Sequence, residues 1–142
     1  MSKLPTSLTA KDVMDSNVVM MDASASVNDA IKKMVSSDTW SILIEKNDLP
    51  IGVLTERDIF RRCLGIGRTA DKMRVEEIMS SPIVSAAPGD RIGAVMETMV
   101  QKNIRRVFVI ENGKVIGRIT QTKLFDDAVN LMESLSSLRY QM

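Results

Sequence analysis

Ile51-Gly52-Val53-Leu54-Thr55-Glu56-Arg57-Asp58-Ile59-Phe60 returns later in the chain as Ile116-Gly117-Arg118-Ile119-Thr120-Gln121-Thr122-Lys123-Leu124-Phe125, at an offset of 65 residues. The offset holds without a gap between residues 13–60 and 78–125. Ten of the 48 aligned positions are identical, where chance gives roughly three. They are Met14/Met79, Ser16/Ser81, Val19/Val84, Met34/Met99, Val35/Val100, Asn47/Asn112, Ile51/Ile116, Gly52/Gly117, Thr55/Thr120 and Phe60/Phe125. One supersecondary unit is therefore written twice. Its copies differ where Gly-x-x-Thr-x-x-Asp at 52–58 becomes Gly-x-x-Thr-x-x-Lys at 117–123.

Upstream of the quoted stretch, Val27, Ala30, Ile31, Met34 and Val35 fall at helical spacing, and Ser26 with Asp29 supplies a start signal. Ile92, Val95, Met96, Met99 and Val100 repeat the stripe behind a Gly89-Asp90 turn and cap. The methionines Met34, Met96 and Met99 read as core filling on that stripe. Each helix leads to an apolar, β-branched run, a turn and a second run: Ile42–Ile44 then Ile51–Leu54, and Val107–Ile110 then Val115–Gly117. The turns are Asn47-Asp48-Leu49-Pro50 and Asn112-Gly113. A short strand opens each unit at Val18-Val19-Met20 and Ile83-Val84-Ser85, giving the order strand, helix, strand, strand, helix. The first closing helix is expected from Glu56 to Leu64 with Gly65 as left-handed cap, and Gly65-x-Gly67 reads as a helix stop and joint. The last helix is expected from Gln121 to about Leu138. Its apolar stripe is wider than one small unit needs, and it covers either a partner subunit or the chain's own core.

With 142 residues, 44% apolar and 26% charged, the chain can bury a core but is short for two independent domains. A formal net charge of +1 creates no global field toward nucleic acid or a membrane surface. The single cysteine, Cys63, forms no internal disulfide and belongs to no zinc-binding pair. Histidine is absent, which removes the usual general base and the commonest neutral metal ligand. The opening Met1-Ser2-Lys3-Leu4-Pro5-Thr6 lacks a signal-peptide core, and no run approaches the roughly 18 apolar residues of a membrane span. These features point to a cytoplasmic protein that is not an enzyme, with no metal and no membrane partner.

Thr55-Glu56-Arg57-Asp58 follows a strand and opens a helix. As local structure it is a capping box; as a site it offers helix N–H groups and a hydroxyl to a phosphate, and a carboxylate to a ribose diol. A carboxylate accepts two hydrogen bonds from vicinal hydroxyls and so selects a nucleoside over inorganic phosphate. Arg105-Arg106 precede the buried strand of the second copy, where the first has Trp40-Ser41. Paired guanidiniums suit a phosphate or form a solvated basic edge. Trp40 is either a stacking platform or packing.

The tandem units, the leading Asp12-Val13-Met14 and Glu77-Ile78-Met79, and Gly52–Ile59 together resemble a pair of cystathionine-β-synthase-type (CBS) domains, the Bateman module, here as a stand-alone protein. The resemblance spans about residues 9–130. It implies an α/β (α+β) fold of two pseudo-symmetric β-α-β-β-α units packed through their small sheets. The first repeat is 9–66, the linker 67–74, the second repeat 75–130 and a C-terminal helix extension 131–142. It also implies two clefts, each combining the Gly-x-x-Thr-x-x-Asp of one repeat with strand residues of the other. In the first cleft Asp58 takes the ribose, Thr55 the phosphate and Val53 the base edge; Ile83, Val84 and Ile104 wall the adenine, and Arg105 and Arg106 reach the phosphates. Arg105 stands where relatives often place a histidine. The second cleft, with Val18, Val19, Thr39, Trp40, Ser41 and Thr120, departs from the pattern: Lys123 replaces the ribose carboxylate and Arg118 a small apolar neighbour. Two cations there repel each other unless an anion joins them.

The expectation is a noncatalytic sensor that binds AMP, ADP or ATP as a regulatory ligand rather than a cofactor, and assembles as a homodimer with any effector on a separate chain. The alternatives are an S-adenosylmethionine-type or dinucleotide ligand, or a pure oligomerisation module with vestigial clefts. Nucleic-acid binding through Arg57, Arg61, Arg62, Arg68, Arg105 and Arg106 is disfavoured by the balanced charge.

Overall fold

A computed structural model describes residues 8–141; the opening residues 1–6 read above lie outside them. In chain order the elements are α1 (Ala10–Val13), β1 (Met20–Asp22), α2 (Val27–Ser36), β2 (Ser41–Lys46), β3 (Leu49–Thr55), α3 (Glu56–Arg62), α4 (Val75–Ile78), β4 (Ser85–Ala86), α5 (Ile92–Lys102), β5 (Arg106–Glu111), β6 (Lys114–Thr120) and α6 (Gln121–Gln141). Two three-stranded sheets result, β1-β2-β3 and β4-β5-β6, each with one parallel and one antiparallel pairing. The fold is thus mixed α+β, one small sheet per repeat.

The duplication extends to backbone detail. Asn47 and Asp48 carry φ of 52° and 62°, and Asn112 and Gly113 carry 52° and 77°, the positive angles that a tight two-residue hairpin requires. Leu49 and Pro50 lie in β3 rather than in the turn. Pro50 sits opposite Glu45, beside a register shift at Ile44/Glu45 that recurs at Val109/Ile110. Asp38 (φ 49°), just past the Ser37 cap of α2, and Asn103 (φ 51°), the C-cap of α5, take the same left-handed conformation, which short polar side chains tolerate.

Helix α2 starts where Ser26 Oγ accepts the Asp29 N–H at 3.0 Å. It buries Val27, Ala30 and Met34 against Ile42, Ile44 and Leu54 of the sheet. Only part of the apolar stripe faces that core. Val35 and Val100 are 78% and 80% exposed and Met96 is 49% exposed, so Met96 is not core filling, whereas Met34 and Met99 are buried. The reason is width: 3.6-residue periodicity defines a face of five residues, and the small three-stranded sheet covers only one edge of it.

Other boundaries also shift. The opening strands lie about two residues later than expected, because the ladder begins where Met20 pairs with Leu43 rather than where β-branched residues begin. Helix α3 ends at Arg62, a 3-10 turn follows at Leu64–Ile66, and Gly67 rather than Gly65 takes the left-handed cap, with φ 80°. Gly65 instead allows a close approach: a Cβ there would lie 2.5 Å from the Phe60 carbonyl oxygen. The N-cap of α5 is Arg91, while the Asp90 carboxylate accepts the Ala87 N–H at 2.9 Å. Helix α6 does not cap its own core beyond residue 129: Leu131, Met132, Leu135 and Leu138 are all more than half exposed.

Contacts divide the chain into two compact units. One is contiguous, Asn17–Val84; the other is split, combining residues 8–16 with residues 85–141. The leading segment of each repeat has therefore exchanged places. In the contiguous unit Val27 N donates to Met73 O (2.8 Å) and Val75 N to Ala25 O (2.8 Å), placing α4 on the first sheet's core. In the split unit Ala10 N donates to Asp90 O (2.8 Å) and Ile92 N to Leu8 O (3.0 Å). The exchange explains two of the identities. A Cβ on Gly52 would stand 2.5 Å from Met79 Sδ, and one on Gly117 would stand 2.6 Å from Met14 Sδ, so each glycine gives room to the methionine of the exchanged segment.

Candidate functional site

In the contiguous unit, β3 runs directly into α3, and Thr55 is the N-cap. Thr55 N–H donates to Asp58 Oδ2 at 2.9 Å, Thr55 Oγ1 donates to the same oxygen at 3.2 Å, and Asp58 N–H donates to Thr55 Oγ1 at 3.3 Å. The capping box is fully formed. Asp58 is nonetheless unusual for a surface cap in being only 5% exposed. Its second oxygen, Oδ1, accepts the hydroxyl of Ser80 at 2.8 Å. A carboxylate has about four lone-pair positions, and donors of the unit itself fill three of them.

Ser80 is held by more than its side chain. Its N–H donates to Val53 O at 2.8 Å, and Val53 N–H donates to Ser80 O at 2.9 Å. One helical turn beyond Asp58, Arg62 Nη1 donates to Met79 O at 2.9 Å and Ile78 O at 3.3 Å, completing the end of α4. Positions 58 and 62 thus lie on one face of α3 and clamp residues 78–80. The segment continues to Ile83 and Val84, both half-buried. Of the first candidate set, the contiguous unit brings together Val53, Thr55 and Asp58 with the exchanged segment that carries Ile83 and Val84. Ile104, Arg105 and Arg106 belong to the split unit, where Arg105 is exposed and Arg106 opens β5 half-buried.

The split unit answers each position differently. Arg118 replaces Val53, and Asp15 replaces Ser80. Their backbones pair both ways at 2.9 Å, and Arg118 Nε meets Asp15 Oδ1 at 3.0 Å with side chains 13% and 28% exposed. Lys123 replaces Asp58. Its N–H donates to Thr120 Oγ1 at 3.2 Å, and its ammonium turns along α6 to Asp127 at 2.9 Å. The expected repulsion between Arg118 and Lys123 is therefore relieved within the unit, because each cation has its own carboxylate one short reach away.

Val18 and Val19 are half-buried beside β1 in the contiguous unit, and Val19 O accepts from Leu43 N at 2.8 Å. Thr39 and Ser41 are buried and bonded to each other, Thr39 Oγ1 donating to Ser41 O at 3.1 Å. Trp40 is not core packing, being 67% exposed. It lines an open apolar groove of about 430 Å³ with Ile31, Met34, Val35, Ile59 and Phe60. Sequence reasoning missed Ser80, Asp15 and Asp127, and read Arg62 as a nucleic-acid candidate rather than as the clamp on Ile78 O and Met79 O. The signal for two of them lay in the duplication: the copies differ together at 15/80, 53/118 and 58/123, positions that the fold makes neighbours.

A family model for the CBS domain matches residues 10–65 and 75–130. The chain belongs to the CBS domain family. It is a tandem CBS pair, and CBS pairs are generally regulatory rather than catalytic modules. A CBS domain-containing protein of Bacillus subtilis, YhcV, is 28% identical over 129 residues, covering 91% of this chain and 89% of the relative. A crystal structure of an uncharacterized conserved protein from Pyrococcus horikoshii superposes with a TM-score of 0.81 at 26% identity, covering 88% of this chain and 95% of that one. A hexameric CBS-CP12 protein from bloom-forming cyanobacteria superposes with a TM-score of 0.79 at 32% identity, covering 85% of this chain and 68% of that chain. The first three curated relatives, all archaeal, are longer: the match spans 66%, 40% and 41% of their lengths. Among the described residues no helix is long and apolar enough to cross a membrane.

Proposed function

We propose that this CBS pair is a regulatory sensor that binds an adenine ribonucleotide at Asp58 in the contiguous unit. The observation that carries the reading is a buried carboxylate at a strand-to-helix junction whose unit supplies only neutral donors to it. A ribose diol offers more donors of the same kind. Val53, Ile83 and Val84 supply an apolar surface for the base. Binding of adenine nucleotides is common among CBS domains, which supports the choice of ligand. A thermal-shift screen tests it. AMP at about a hundredfold over its dissociation constant raises stability by roughly 2.7 kcal/mol, while 2′-deoxy-AMP and GMP at the same concentration raise it less. Equal shifts for all three would remove the ribose and adenine assignments.

A homodimer belongs to the same proposal. Val35, Phe60, Val100 and Phe125 are 78%, 65%, 80% and 72% exposed, and they form two of the identical pairs of the duplication. Both repeats keep the same apolar residues outside their cores, as a buried face in an assembly requires. Light scattering at micromolar concentration is expected to give about twice the 15.8 kDa chain mass. Val35→Glu with Phe60→Glu returns it to one chain, and Leu131→Glu with Leu135→Glu leaves it doubled. A monomeric wild type, or a mass that responds only to the second pair, contradicts this assignment.

A further inference from the structure

We propose that the Ser80 hydroxyl is an internal stand-in for a ribose hydroxyl, a latch on Asp58 that a bound nucleotide must open. The inference rests on the reading of Asp58 given above and adds what controls access to it.

The two carboxylate oxygens are served differently. Oδ2 takes the Thr55 N–H and hydroxyl, which form the cap of α3 and cannot leave without fraying the helix. Oδ1 takes the hydroxyl of a residue 22 positions away, at 2.8 Å, and a rotation about χ1 of Ser80 is enough to release it. That release leaves the backbone in place. The mutual hydrogen bonds of Ser80 with Val53 (2.8 and 2.9 Å) and the Arg62 bonds to Ile78 O and Met79 O hold the segment independently. Ser80 is therefore an exchangeable donor on a fixed mount.

The donor is needed while the site is empty. A carboxylate that is 5% exposed pays heavily for an oxygen without a hydrogen-bond donor, and the serine removes that penalty until a diol arrives. The duplicate marks the contrast. There the residue at the Ser80 position is Asp15, which meets Arg118 in an ion pair at 3.0 Å, a charged contact that a neutral hydroxyl does not readily displace. The split unit is closed by charge, and the contiguous unit by one replaceable hydroxyl.

Calorimetry with AMP and 2′,3′-dideoxy-AMP on the full chain tests the latch. Ser80→Ala is expected to bind AMP about tenfold more tightly than wild type, the worth of one hydrogen bond to a charged group. The dideoxy nucleotide, which has no ribose hydroxyl to exchange, binds both proteins alike. Ser80→Thr keeps the hydroxyl and the wild-type affinity. Ser80→Cys, similar in size and a weak donor, shifts AMP in the alanine direction and serves if the alanine variant does not fold. An alanine variant that binds AMP no more tightly, or that shifts both nucleotides equally, overturns the latch. If Asp58→Ala also leaves AMP binding unchanged, the reading of Asp58 has failed with it; if Asp58→Ala weakens AMP, only the latch has failed.

Discussion

Asp58→Ala is expected to lower AMP affinity by about 10- to 100-fold and to abolish the preference for AMP over its 2′-deoxy analogue. The loss has one source in binding, the missing acceptor for the diol. A second effect appears in stability. Thr55 N–H, Thr55 Oγ1 and Ser80 Oγ all donate to this carboxylate, so its removal costs about 1–2 kcal/mol through the cap of α3 and the orphaned donors. Asp58→Asn separates the two effects. Its amide oxygen still accepts from Thr55, so stability is largely kept, but the amide NH₂ now faces the Ser80 side, where the carboxylate had offered an acceptor to the Ser80 hydroxyl and offers one to the diol. Calorimetry on both variants, alongside a thermal melt of each, reads binding and stability independently. Unchanged AMP affinity in both would place the nucleotide elsewhere.

Converting the split unit to the contiguous pattern is expected to create a second nucleotide site. Three substitutions are needed together: Lys123→Asp restores the carboxylate, Arg118→Val the apolar neighbour, and Asp15→Ser the neutral donor. Changing Lys123 alone puts a new carboxylate near Asp15, which is paired with Arg118. Changing Lys123 and Arg118 without Asp15 takes away the guanidinium that Asp15 meets at 3.0 Å, a costly loss where the aspartate side chain is only 28% exposed. The triple variant avoids both faults. Its AMP titration is expected to saturate at two equivalents where wild type saturates at one. A triple variant that folds and still binds a single AMP would mean that these three positions do not decide occupancy.

Much of the fold was legible because it was written twice. The gapless offset of 65 aligned α2 with α5 and each hairpin with its copy, and Asn112-Gly113 announced its turn through residues that accept positive φ. What the sequence hid was long-range. The exchange of α1 and α4 between repeats depends on backbone bonds such as Val75 N to Ala25 O, and no local periodicity encodes these. For the same reason Ser80 stayed invisible as a partner of Asp58. Periodicity also overstated the core, since Val35, Met96 and Val100 continue an apolar stripe past the edge of a three-stranded sheet. At the candidate site Thr55 and Asp58 were readable as a cap and as a ligand pair at once, and the structure forms the cap. The sequence likewise showed Arg118 and Lys123 as two cations but not the carboxylates Asp15 and Asp127 that neutralise them.

The most direct test of one Asp58-dependent site per CBS pair is the stoichiometry of AMP binding to the wild-type chain by isothermal calorimetry, checked against protein concentration from amino-acid analysis. Saturation at one AMP per chain, lost in Asp58→Ala and retained in Lys123→Ala, is the predicted result. Saturation at two AMP per chain, or a single AMP that survives Asp58→Ala and disappears in Lys123→Ala, would contradict it.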